Sequence, residues 1–189
     1  VVQRKDIEHA RELVNRLGRK ACLVISHSSG DDGYDYEARV SDFAKRMGVR
    51  TIFSSELFDQ HRGTTKDGRK IYSLSDAYPH ADLVTYPSLI EGFGNAFLEA
   101  LYYKKPIVVN NYAIFATDIK PKGFKVIEFH DYITEKTVQD TLRILDDIPY
   151  QEKLNDLNYA LALQFFSYKV LRNKLLMLIA NAFGSIGTY

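Results

Sequence analysis

Apolar positions recur along this 189-residue chain with two periods, and they divide it into alternating helices and short strands. Ile7, Ala10, Leu13, Val14 and Leu17 are spaced as one helical stripe over residues 6–17, with Gly18 placed to end it. Residues 21–26 form a short apolar run with Val24 and Ile25, which predicts a buried strand. Ser, Gly and Asp then fill a loop over 28–33. A second helix is predicted over 36–47, ended by Gly48, and a second strand over 49–53. Residues 54–69 are polar and irregular, followed by a short predicted helix over 70–78 before Pro79. Next come a strand at 83–86, a helix at 94–104, a strand at 106–110 and a last short strand at 125–128. Three helices close the chain near 135–146, 150–164 and 167–183.

Short strands that do not alternate, separated by helices, imply parallel pairing with helices on both faces and right-handed crossovers. The predicted fold class is therefore α/β: a Rossmann-like doubly wound parallel sheet with a helical C-terminal tail. In such sheets ligands bind beyond the carboxyl ends of the strands.

Composition narrows the function classes. With 25 Lys and Arg against 24 Asp and Glu, the net charge of +1 gives no basis for nucleic-acid binding. Cys22 is the only cysteine, which excludes an intramolecular disulfide and a cysteine metal cluster; it is expected to be a small buried hydrophobe and fits a reducing cytoplasm. No apolar run approaches the roughly 18 to 20 residues that span a bilayer, and no signal peptide is evident. The chain opens without methionine, as a fragment would. The histidines at 9, 27, 61, 80 and 130 show no ligand spacing and are expected to be surface or hydrogen-bonded residues.

The candidate chemistry lies after the strand at 83–86, in Glu91-Gly92-Phe93-Gly94-Asn95, immediately before a helix. Two glycines let the backbone turn sharply and approach a ligand. The free N–H groups and dipole of the helix start form an anion site suited to a phosphate or diphosphate. Glu91 precedes the turn, and Glu99 lies about 6 Å along the helix from Asn95, on the same face. A carboxylate is well matched to a vicinal diol, so ribose on one side and a hexose on the other would give each glutamate a partner. Glycine spacing alone fits a plain strand-to-helix turn equally well, with early-helix glutamates favoured by the dipole.

The stretch at 81–110, ADLVTYPSLIEGFGNAFLEALYYKKPIVVN, resembles the signature of the retaining glycosyltransferases of family 4, the glycosyl transferases group 1. Their E-x7-E pattern falls on Glu91 and Glu99, and Leu98, Ala100, Pro106 and Ile107 correspond to its continuation. QRKDIEHARELVNRLG is similar to the first helix of the same half, with Lys5 at the phosphate-contacting lysine, and FFSYKVL resembles the start of its terminal helix. The resemblance implies that residues 1–189 are one nucleotide-sugar-binding domain, the C-terminal half of a two-domain GT-B enzyme whose N-terminal acceptor half, with an expected histidine, is absent from the sequence. It implies that Glu91 contacts donor-sugar hydroxyls, that Gly92, Phe93 and Gly94 hold the sugar and diphosphate, and that Asn95 lies at the helix start. Glu99 would hold the ribose diol, and Lys5 would neutralise the leaving diphosphate.

Such enzymes work with no bound metal and no cofactor, the nucleoside-diphosphate sugar being a substrate. Ser54 and Ser55 fall where backbone groups read the base. Residues 112–118 are placed to rim the sugar, and the loop at 26–33 either lines the cleft or is plain surface. Tyr102 and Tyr103 are expected to pack on the motif helix. The apolar stripe of the terminal helices would pack on its own domain or, by the resemblance, cross back to the other half. A non-catalytic nucleotide-sugar-binding module and a GT-B epimerase or phosphorylase are the alternatives, and membrane association of a full-length enzyme stays open.

Overall fold

The computed structural model describes residues 6–18, 21–26, 34–59 and 61–184. Its order is helix α1 (Ile7–Arg16), strand β1 (Cys22–Ile25), α2 (Tyr34–Met47), β2 (Arg50–Phe53), β3 (Phe58–Asp59), β4 (Gly63–Thr64), β5 (Lys70–Ser73), α3 (Leu74–Ala77) and β6 (Val84–Tyr86). It continues through α4 (Asn95–Tyr102), β7 (Ile107–Asn110), β8 (Ile127–Phe129), α5 (Glu135–Asp146), α6 (Ile148–Phe166) and α7 (Tyr168–Phe183). Five of the parallel strands form the two main ladders. β1 pairs with β2, Cys22 opposite Arg50, and β6–β7–β8 pair in sequence order, Val84 opposite Ile107 and Val108 opposite Ile127.

Side chains alternate across β7, and each set enters a different core. Ile107 and Val109 pack with Phe97, Leu101 and Phe115 on the α4 face, where Leu161 and Phe166 of α6 close the layer. Val108 packs with Ile127 and Phe129 against Leu13 and Leu17 of α1 and Val138 and Ile144 of α5. This is the doubly wound α/β architecture that the residue pattern implies. α1 also serves the other ladder, where Ile7 and Ala10 cover Leu23 and Ile25. Buried Asn158 of α6 meets both backbone groups of Lys125, accepting from its N–H at 2.7 Å and donating to its carbonyl at 2.8 Å, which fixes the entry to β8.

The structure departs from the sequence expectations in three places. Residues 54–69 are not irregular throughout: β3 and β4 flank β5 in a small sheet, one pair parallel and one antiparallel. Lys70–Ser73 is strand rather than helix. Ile71 and Tyr72 suit a strand, and the Asp76 carboxylate accepts from the Ser73 N–H at 3.0 Å, so the helix starts only at Leu74. Cys22 is exposed rather than buried, because only alternate residues of β1, Leu23 and Ile25, face α1. The terminal stripe divides between the two expected alternatives. α6 packs through Leu161 and Phe166, whereas no described residue of α7 is buried, and Leu171, Leu175 and Leu178 face outward. Among the described residues no helix is long and apolar enough to cross a membrane.

Candidate functional site

The chain leaves β6 through buried Pro87 and Ser88, exposes Leu89 and Ile90, and enters α4 at Asn95. Gly94 is the N-cap, with a left-handed φ of 86°. A Cβ there would lie 3.0 Å from Tyr86 Cζ and 3.2 Å from the Tyr112 hydroxyl, and would overlap the Tyr86 hydroxyl. Backbone conformation and space both demand glycine. Gly92 differs: a Cβ would meet nothing within 4 Å, so its backbone faces open space. Gly94 makes the turn, and Gly92 keeps it approachable.

The loop is held from below. The Tyr112 hydroxyl, just past β7, donates to the Phe93 carbonyl at 3.3 Å. Burial, with Tyr86 nearby, raises the Tyr112 phenol well above its usual pKa, so it remains a donor. Phe93 meets Phe166 of α6 edge-on with centroids 4.8 Å apart, and Phe166 stacks on Phe124. Asn110, buried at the end of β7, donates its amide to the Pro87 carbonyl at 3.4 Å. The predicted rim at 112–118 is thus in part a foundation: Tyr112 and Phe115 are buried, while Thr117 and Asp118 are exposed.

α4 presents its first N–H groups at this loop, with no acidic residue in its first turn to oppose an anion. Glu91 before the turn and Glu99 in the helix are each half-buried, and Asn95 is exposed. Glu99 accepts a hydrogen bond from the Tyr78 hydroxyl, 2.8 Å to Oε2. The Tyr78 ring lies flat on Tyr103, centroids 5.0 Å apart and planes 4° apart. Burial, then the bond to Glu99, raises the Tyr78 phenol far above its ordinary value, so it stays protonated and donates to the carboxylate. Tyr103 packs as expected, whereas Tyr102 is exposed.

The predicted Ser54 and Ser55 follow β2, at the end of the other ladder. Ser54, past the end of β2, is buried with its N–H 2.9 Å and its hydroxyl 3.4 Å from the Ile25 carbonyl. Ser55 begins a 3-10 turn, Ser55–Leu57. Lys5, His27 and the loop at 27–33 lie outside the described residues. His9 bonds to Asp6, His130 lies 3.2 Å from Asp131, and His61 and His80 are exposed. Tyr78, which bonds to Glu99, escaped the sequence reading because it lies outside the glycine-rich motif and only folding brings it there, whereas Tyr112 was expected at the rim and instead holds the Phe93 carbonyl. A cavity of about 380 Å³ opens elsewhere, at Cys22 and Arg50 on the amino ends of β1 and β2, the wrong end for a ligand of a doubly wound sheet.

Comparison with known proteins bears on the fold and on sequence similarity. The chain is 31% identical over 171 residues to a mannosylglucosylglycerate synthase of Thermotoga maritima, covering 84% of this chain and 38% of that protein. It is 38% identical over 93 residues to the enzyme of the same name from Petrotoga mobilis, covering 49% of this chain and 21% of that one. The chain thus spans well under half the length of these relatives. Among solved structures, the C-terminal domain of the glycosyl transferase group 1 protein LpcC of Francisella tularensis superimposes with a TM-score of 0.65 at 15% identity, covering 89% of this chain and 83% of that one. Anabaena Alr3699/HepE in complex with UDP gives 0.69 at 16% identity, covering 95% and 46%. Residues 60–147, which contain the loop and both glutamates, match the family described as Glycosyl transferases group 1. Residues 60–147 are thus similar to the glycosyl transferases group 1 family, and the fold is the one seen in the C-terminal domain of LpcC.

Proposed function

We propose that this chain is the donor-binding part of a retaining glycosyltransferase that moves a hexose from a nucleoside-diphosphate sugar to an acceptor. The observation that carries the reading is the turn into α4, where Gly94 is forced by its surroundings, Gly92 is open, and Glu91 and Glu99 flank the helix start. The diphosphate lies against the first amides of α4, whose dipole favours negative charge. Glu91 accepts from hexose hydroxyls, and Glu99 accepts from the ribose diol.

In the reaction, the bond between the anomeric carbon and the diphosphate oxygen breaks, a bond from that carbon to an acceptor hydroxyl oxygen forms on the same face, and the hydroxyl's proton passes to the departing diphosphate. The electron pair departs with the diphosphate, which the helix amides and Lys5 stabilise as charge develops. The relatives' name, mannosylglucosylglycerate synthase, supports a hexose as the transferred group and a sugar-bearing acceptor.

A thermal-shift series with UDP, GDP, ADP and their sugar conjugates tests this, alongside Glu99→Ala. A ligand at about 100 times its Kd stabilises by roughly 2.7 kcal/mol. Stabilisation by one nucleotide family, lost in the variant, is expected. Stabilisation that survives Glu99→Ala would refute the assignment of the ribose to Glu99.

A further inference from the structure

We infer that Tyr78 is a positioning residue for Glu99, and that through Glu99 it sets a preference for ribose over 2′-deoxyribose in the bound nucleotide. The inference rests on the proposed reading that Glu99 takes the ribose diol, and it adds a residue outside the motif.

A glutamate on a half-exposed helix face samples several rotamers, and a ligand must select one of them at an entropic cost. Glu99 is spared that selection by its bond to Tyr78, 2.8 Å from hydroxyl to Oε2. The hydroxyl has little freedom of its own, because its ring is half-buried and flat against Tyr103. An ionised carboxylate only accepts and offers about four lone-pair sites, so one phenol leaves capacity for both hydroxyls of a diol. Glu99 is therefore pre-aimed and not saturated.

The backbone bearing Tyr78 is fixed from both sides. Asp76, two residues earlier, accepts from Arg62 Nε at 2.8 Å and from the Ser73 N–H at 3.0 Å. Those bonds hold its carboxyl far below the usual carboxylate range. Just after Tyr78, Lys105 Nζ donates to the Pro79 carbonyl at 3.0 Å. Tyr78 thus reaches the site from the segment before β6, on a different part of the chain from the Glu91–Asn95 loop.

The test is calorimetric titration of the protein, of Tyr78→Phe and of Glu99→Ala with UDP, GDP and ADP. The tightest of the three is then compared with its 2′-deoxy counterpart. Tyr78→Phe keeps the stacked ring and removes only the hydroxyl. It is expected to weaken the ribonucleotide roughly tenfold and the 2′-deoxynucleotide by less than about twofold, shrinking the preference for ribose. Equal weakening of both would mark a purely structural role and overturn the inference. Unchanged ribonucleotide affinity in Tyr78→Phe, with the preference lost in Glu99→Ala, would overturn the inference and leave the ribose reading standing. Failure of all three nucleotides to bind would remove the reading, and the inference with it.

Discussion

The two parallel ladders differ in how many faces are covered. β7 is buried at every position, its residues shared between the α4 core and the α1–α5 core. In β1 only alternate residues are buried: Leu23 and Ile25 pack under α1, while Val24 is 52% exposed, as is Ile52 of β2 to 40%. The glycine-rich loop is mounted on the doubly covered ladder, and its props, Tyr112, Asn110 and Phe166, are side chains of that core or its edge. A site that stabilises developing charge needs dipoles that do not reorganise, and a support packed on both faces supplies them.

The strongest way to break this contrast is to remove a side chain from the core beneath β7 and one from β1. Phe97 is fully buried and meets Phe115 and Phe124 edge-on. Phe97→Ala is expected to cost about 3–5 kcal/mol of stability in urea unfolding. Val24→Ala is expected to stay within about 0.5 kcal/mol. Similar losses at both positions would show that the ladders are equally packed.

A finer contrast lies within the loop. Gly94→Ala forces a left-handed alanine against Tyr86 and Tyr112, with an expected cost of about 1–3 kcal/mol. Gly92→Ala meets only open space and is expected to leave stability within about 0.5 kcal/mol while weakening nucleoside-diphosphate binding. Unfolding curves and nucleotide titrations of the two variants separate shaping the turn from admitting the ligand. Gly92→Ala with full affinity would move the ligand away from this backbone.

Much of this arrangement was legible in the sequence. The stripe Ile7, Ala10, Leu13 and Leu17 foretold α1, and the run ending at Asn110 foretold β7, because burial imposes the period that the residues display. Gly94 was recognisable as the residue of the turn, since few others tolerate its φ. The small sheet of β3, β4 and β5 was not legible: β3 and β4 have two residues each, too few to show a pattern, and β5 follows a polar stretch. The exposure of Cys22 depended on how many faces of β1 are covered, which a four-residue apolar strand does not encode. Tyr78 lies 21 residues from Glu99, and only the fold reveals that its hydroxyl meets that carboxylate.

Amide hydrogen exchange with and without a bound nucleoside diphosphate tests most directly whether the start of α4 is the anion site. Exchange of the amides at 92–97 is expected to slow on binding, while α5, on the opposite face of the ladder, exchanges as before. Saturating nucleotide that leaves 92–97 unchanged and protects another segment would contradict the assignment.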